Sequence, residues 1–344
     1  MHDPQLYAED DLLGAAASRL FADACTPAVL RAALAGQRPA RAWQACADSG
    51  TADALVPESA GGAGLALRDL ASTLLSAGYH AVPYPIADTL FARAWLQQAG
   101  AAPVAGSIAI APFGCGRNDG GVVGARVPLL RSADHVLAQL GGEVWLLPAA
   151  LAHIEPGGAH GSLAASATWP AGTGTRIQAA AGAPALVDLS ACAHAAIAAG
   201  LALRILHLSL DHANTRQQFG KPIGRFQAIQ QQLAVMAEQV WAARAAAMLA
   251  LQEDTPWPRP EAAALARART CEAVGPVCDI AHAVHGAIGV TEEHELGLYT
   301  RLLRDLRLAV GTESFWHARV GAWAVQGRAS VLDRVRALCG EAIA

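Results

Sequence analysis

The segment RQQFGKPIGRFQ, residues 216–227, holds the side chain best suited to bind a ligand. Arg216 carries a planar, permanently charged fork of five N–H donors, which suits a diphosphate. An arginine at a helix end could equally close an ion pair. Phe219 could pack on a flat ring or support its loop, and Phe226 and Gln227 could line a site or pack a helix start. The second candidate is HGAIG, His285 to Gly289. Backbone N–H groups at a glycine turn can approach a phosphate or ribose, although such a turn is also an ordinary helix end. His282 and His285 stand three apart, followed by Glu292, Glu293 and His294. Metal binding needs convergent ligands and a fourth group, and the spacing supplies no such set, so no metal is expected. The chain has no GxxxxGK[ST] phosphate loop, no GxGxxG after a strand and no serine nucleophile elbow. Trp241, Trp316 and Trp323 at helical positions read as core or interface.

Three zones must position these residues. Residues 1–103 read as a helical domain broken by Pro/Gly loops, with helical spacing over Arg41–Ser49, Leu67–Gly78 and Ile86–Gln98. Residues 104–183 carry short apolar or alternating runs between Gly, Asn, Asp and Pro clusters, the pattern of a small β-domain. Residues 184–344 return to helix. Long helices are expected over Asp188–Arg216, Gln227–Asp254 and Glu261–Val284, with further helices over Glu295–Ala309 and Ser314–Gln326. The fold class is mainly α with a small β-barrel or sheet domain in the middle and a C-terminal four-helix bundle.

Composition bounds the rest. Of 344 residues, 53% are hydrophobic and 16% charged, which excludes a disordered chain. Alanine is nearly a quarter of the chain and favours helix. A net charge of −4 gives no basic face for nucleic acid. The longest apolar stretch, Ala191–Leu203, contains His194 and Gly200 and ends at Arg204, so it reads as a buried helix and no membrane partner is expected. The N-terminus shows no signal-peptide stretch. The seven cysteines lack CxxC spacing and read as small buried hydrophobes in a cytoplasmic protein.

Three segments in order resemble the acyl-CoA dehydrogenase family: VPESAGGAGL at 56–65, RQQFGKPIGRFQ at 216–227 with its following helix, and HGAIGVTEEHELGLYTRLLRDLR at 285–307. The resemblance covers nearly the whole chain. It implies FAD as cofactor, an acyl-CoA substrate, an electron-transfer flavoprotein as electron acceptor and a homo- or hetero-oligomer. It also implies a cofactor site from Arg216, Gln218, Phe219, Phe226, Gln227, His285, Gly286, Ala287, Gly289, Gly311 and Thr312, with the arginine reaching the diphosphate of a neighbouring subunit's FAD.

The departures are as informative. The family's glutamine three residues before the first glycine of the turn is Ala283. The family's base, a glutamate before Gly-Thr, is Val310, and its alternative position, 26 residues before Arg216, is Ser190. Glu313 is the nearest carboxylate that could replace it, although a glutamate there also suits the N-terminus of the next helix. Asp188 could swing inward or cap the long helix. In the β-zone, APFGCGRND (111–119) keeps proline and glycines but lacks the family's hydroxyl and acidic pattern at the flavin ring. The resemblance therefore implies either a divergent dehydrogenase or a subunit whose partner supplies the base. A non-catalytic binding or scaffold protein on the same fold is the alternative.

Overall fold

The computed structural model describes residues 6–157, 161–326 and 329–340. The N-terminal region packs helices α1 (Leu12–Ala24), α2 (Pro27–Leu34), α3 (Ala40–Asp48), α4 (Ala71–Tyr79) and α5 (Ile86–Gln98). Local chemistry sets their starts: Asp11 accepts the Gly14 N–H, and Thr26 accepts the Val29 N–H with Pro27 opening α2. The sequence reading left α1 and α2 unassigned, because both are short and alanine-rich and their apolar stripes are interrupted.

The β-domain holds β1 (Ile108–Ala111), β2 (Cys115–Asn118), β3 (Gly121–Val127), β4 (His135–Leu140), β5 (Glu143–Pro148), β6 (His153–Pro156), β7 (Ala165–Trp169) and β8 (Thr175–Ile177). They form two four-stranded sheets, ordered β1-β4-β5-β8 and β2-β3-β7-β6. Only the β1–β4 pairing is parallel. Trp169 is fully buried between the sheets and donates Nε1–H to Pro148 O at 2.9 Å. The edge strand β1 would leave backbone donors unpaired. Helix α5 satisfies them: Thr89 Oγ1 accepts the Ile108 N–H at 2.9 Å, and Asp88 Oδ2 accepts the Ile110 N–H at 3.1 Å.

After the β-domain comes α6 (Leu186–Thr215), then a two-strand hairpin of β9 (Gln217–Gln218) and β10 (Lys221–Pro222), then α7 (Gln227–Leu251) and α8 (Pro260–His285). Shorter helices α9 (Leu296–Arg307), α10 (Glu313–Val325) and α11 (Val331–Leu338) follow. The bundle's fourth side is therefore covered by two short helices, α9 and α10, and not by one long one, because the chain turns at Gly311 with φ +69°. Helices α6, α7 and the stretch 260–290 are long and apolar enough by composition to cross a membrane. The apolar window of α6 is 89% buried inside the protein. Among the seven cysteines no disulfide forms; five are buried, Cys115 is half-buried and Cys339 exposed.

Helices α4 and α6 approach through glycines. A Cβ on Gly200 would lie 2.8 Å from Tyr79 N and closer still to Leu75 O, and one on Gly78 would strike the Ile197 carbonyl. Gly200→Val should therefore destabilise the protein by about 2–3 kcal/mol, read as a lower urea midpoint, whereas Gly275→Ala, with open space around it, should not.

Candidate functional site

The two segments that the sequence marks as candidate ligand sites meet at one end of the bundle. Helix α6 ends at Thr215, and Arg216 follows fully in solvent, its N–H bonded to His212 O at 2.8 Å. No ion pair or side-chain hydrogen bond among the described residues engages its guanidinium. The β9–β10 turn puts Phe219 at φ +52° and Gly220 at φ +77°. Left-handed backbone is disfavoured for phenylalanine, and here it holds the ring out at 93% exposure. Phe219 sits edge-to-face on Phe226, and Lys221 Nζ lies 4.3 Å over the Phe226 ring. Gln218 and Gln227 are exposed beside them.

Across from this loop, α8 ends at His285 and Gly286 turns the chain at φ +62°. Gly286, Ala287 and Ile288 are exposed, while Gly289 is buried where a Cβ would meet His285 Cβ at 2.8 Å. The His285 side chain turns inward and stacks on His212 with ring centres 4.3 Å apart. That stack fixes the two segments side by side. An unpaired cation, exposed phenyl rings and an open glycine turn fit the nucleotide end of a dinucleotide.

The other end does not match in the same way. Val310 is fully buried, and its carbonyl accepts the Trp316 Nε1–H at 2.6 Å. Phe315 packs over Gly311, whose added Cβ would lie 2.9 Å from that ring. Phe315 then meets Phe113 of the β1–β2 loop edge-to-face at 5.3 Å. These two phenyl rings bridge Gly311 and the 111–116 loop, where the resemblance places a flavin ring, and the residues present do not fit that ring. Thr312 caps α10 by accepting the Phe315 N–H. Glu313 is the first residue of α10 and pairs with Arg307 Nη2 at 2.6 Å.

The remaining carboxylates near this end are also engaged. Asp188 does not cap α6, where Ala185 holds the cap position. It lies in the first turn, nearly buried, and pairs with Arg319 at 2.8 Å, tying α6 to α10. Burial pushes its carboxyl up against the opposing pull of Arg319. Glu292 and Glu293 are exposed.

The structure adds a pair that the sequence reading missed. Asp88 and His194 line a narrow apolar crevice, walled by Tyr84, Ile86, Leu129, Ile197 and Leu302. Ser190 lies one turn before His194, whose Nδ1–H donates to Ser190 O at 2.9 Å. Asp88 Oδ1 stands 3.7 Å from that nitrogen and has no hydrogen-bond partner. Burial pushes the Asp88 carboxyl up to about 8, the Ile110 N–H pulling weakly the other way. Burial, with Arg267 nearby, pushes the His194 imidazole down to about 3. At neutral pH the pair is therefore an uncharged acid beside an uncharged imidazole. The one signal in the sequence is an aspartate in the first turn of a helix that is otherwise apolar on that face.

A larger cleft of about 880 Å³ opens beside the glycine turn. Arg31, Arg131, Arg301 and Arg304 line it, with Gly289 and His294.

Comparison with known proteins gives a consistent picture. Residues 185–324 match the family profile described as "Acyl-CoA dehydrogenase, C-terminal domain". The chain is 31% identical over 300 residues to acyl-CoA dehydrogenase IpdE2 of Mycobacterium tuberculosis, covering 85% of this chain and 89% of that protein. Among solved structures, the ChsE4-ChsE5 complex from Mycobacterium tuberculosis superposes with a TM-score of 0.78 at 21% identity, over 94% of this chain and 100% of that one. The Tcur3481-Tcur3483 steroid ACAD (G363A variant) gives 0.77 at 26% identity, over 92% of this chain and 97% of that one.

The buried pair sets a pH dependence. The folded-state value of Asp88 lies above its ordinary 3.8, so its contribution to stability is complete below about pH 4 and is lost as pH rises through about 8. His194 is displaced the opposite way, so its contribution is present above pH 6.5 and lost as pH falls through about 3. Asp88→Asn keeps an acceptor for Ile110 N–H and removes the first effect. Urea unfolding should show the variant more stable than the parent at pH 8, by on the order of 1–3 kcal/mol. The difference should vanish near pH 4, and a difference independent of pH would contradict the assignment.

Proposed function

The chain belongs to the acyl-CoA dehydrogenase family, and from that premise we propose that it serves as one subunit of a heteromeric dehydrogenase. In this reading it holds the nucleotide end of an FAD whose ring, and whose catalytic base, belong to a neighbouring subunit.

The observation that carries the proposal is a length. Ser190 lies in the unbroken helix α6 and Arg216 is the residue that follows its end, 26 positions on, which is ~39 Å at 1.5 Å per residue. A flavin dinucleotide spans about ten bonds from diphosphate to reactive ring nitrogen, no more than ~15 Å at ordinary bond lengths. One cofactor held by Arg216 therefore cannot reach the Ser190–Val310 end of the same chain. Arg216 is suited to a cofactor whose ring lies in another subunit.

Members of the family typically bind FAD, and FAD when bound supplies the two-electron oxidation of the acyl thioester. This chain's residues do the holding. Arg216 donates to the diphosphate, the Gly286–Ala287 backbone N–H groups approach it, and Phe219 offers a face to the adenine. Ala283, exposed at the end of α8, removes one hydrogen bond worth about 0.5–1.5 kcal/mol, a weakening that the arginine can outlast. Helix α7 leaves Val235 and Trp241 exposed at 48% and 40%, which favours an oligomer partner on that side. The heteromeric form is supported by the likeness to the ChsE4-ChsE5 complex and to the Tcur3481-Tcur3483 steroid ACAD. We propose an acyl-CoA ester as substrate, an electron-transfer flavoprotein as acceptor and the cytoplasm as location.

A self-sufficient enzyme would need Glu313 as base. Its carboxylate is engaged by Arg307 Nη2 at 2.6 Å at the end of α9, so Glu313→Gln should leave turnover of an active complex unchanged.

The test is the absorbance of the purified protein. The chain alone should carry little flavin, and co-expression with a family partner should give a yellow complex that an acyl-CoA bleaches. Arg216→Ala in that complex should weaken flavin retention about 10–100-fold, as expected for charge-assisted bonds. A chain that alone holds stoichiometric flavin reducible by acyl-CoA would overturn the proposal. A complex with no flavin would leave only the scaffold reading.

A further inference from the structure

The His212–His285 stack has a third member. His294 lies in the turn before α9, and one ring nitrogen from each of the three histidines lies within 4.8 Å of the other two. The ring centres are 4.3, 4.9 and 6.2 Å apart. Nitrogens bound to one tetrahedral ion at ~2.0–2.1 Å lie about 3.3 Å apart, so the three rings are near enough to converge once the stacked His212 and His285 rings turn their edges to a common point.

The side chains are prepared for that role. His285 Nδ1–H donates to Ala281 O at 2.8 Å, which fixes the tautomer and leaves the Nε2 lone pair bare. That nitrogen is buried and has no partner among the described residues. A ring held by a backbone carbonyl on one nitrogen and bare on the other is the usual setting of a metal-ligating histidine. His294 accepts the Leu296 N–H on Nδ1 at 3.1 Å. To ligate, it must hand that first-turn amide to water and turn its ring, which is open to the cleft.

We propose that His212, His285 and His294 bind one divalent transition-metal ion of the zinc type, clipping the end of α6 and the end of α8 to the start of α9. Three imidazoles with no carboxylate select Zn²⁺, Co²⁺, Ni²⁺ or Cu²⁺ over Mg²⁺ and Ca²⁺. The surrounding charge opposes a cation: Arg216 acts on His212, and Arg31, Arg131 and Arg301 line the cleft beside His294. Affinity is therefore set by the imidazole bonds alone, and the open coordination positions face a cleft that attracts anions. His282, which the sequence placed beside His285, is not a member; its Nε2 engages Thr300 Oγ1 at 3.0 Å.

The site does not depend on the dehydrogenase reading and is tested without flavin. Tag-free protein is stripped with chelator and titrated with Co²⁺ and Zn²⁺, following the visible cobalt band and calorimetry. One ion per chain is expected, with a rise in melting temperature on Zn²⁺ and no response to Mg²⁺. His212→Ala and His294→Ala should each weaken binding at least thirty-fold, while His153→Ala and His317→Ala, at exposed positions, should not. Because either ligand variant could unfold locally, the ring ¹⁵N signals of the parent protein give a second reading: Zn²⁺ should shift three histidines together. Absence of saturable binding, or unchanged affinity in both ligand variants, or a response confined to His153 or His317, would overturn the site.

Discussion

The burial of α6 is the constraint on which the rest of the molecule depends. Twenty of its thirty residues are buried, and its neighbours come from all three regions: α4 and α5, the edge strand β1, and helices α7, α8 and α9. A helix covered by so many neighbours has little room for large polar side chains, so half of its residues are alanine or leucine, with glycine and polar residues as the exceptions. Those exceptions mark places where the burial has a purpose. Gly200 admits α4, Asp188 ties α6 to α10 through Arg319, and His194 faces the buried Asp88.

Because α6 is straight and continuous, it separates two chemistries. Its C-terminal end delivers His212 and Arg216 to the glycine turn after α8, leaving a guanidinium and a phenyl ring in solvent. Its N-terminal end lies beneath Val310 and Trp316 in apolar packing, beside the crossed phenyl rings of Phe113 and Phe315. One end of α6 thus opens on solvent and the other is closed by apolar packing. The low charge of the chain takes a concrete form here: the carboxylates at the closed end are held by arginine partners, as Asp188 and Glu313 are, or lie buried beside an imidazole, as Asp88 does.

Much of this was legible in the residues. The apolar period and the proline and glycine breaks place α5 at its observed limits and α6, α7 and α8 within a few residues, because each is long enough for its pattern to dominate. The short helices α1, α2 and α11 were not legible, since their stability comes from caps and tertiary contacts that no window of sequence contains. Spacing brought Arg216 and the 285–289 turn forward as ligand residues but could not show that they meet, because the His212–His285 contact spans 73 residues of sequence. The histidine cluster was hidden for the same reason. His282 looked like the partner of His285 on helical spacing, while the true neighbour came from another helix. Asp88 was passed over because an acid in a first turn is usually a dipole partner, whereas here it accepts a strand N–H and has lost its water.

The central claim is that this chain grips the nucleotide end of a flavin and cannot seat the ring. Calorimetric titration of the isolated chain with the two halves of the cofactor tests it most directly. ADP should bind saturably and be displaced by FAD, and riboflavin should give no heat of binding at the same concentrations. Riboflavin binding as tight as that of FAD, with no binding of ADP, would contradict the account.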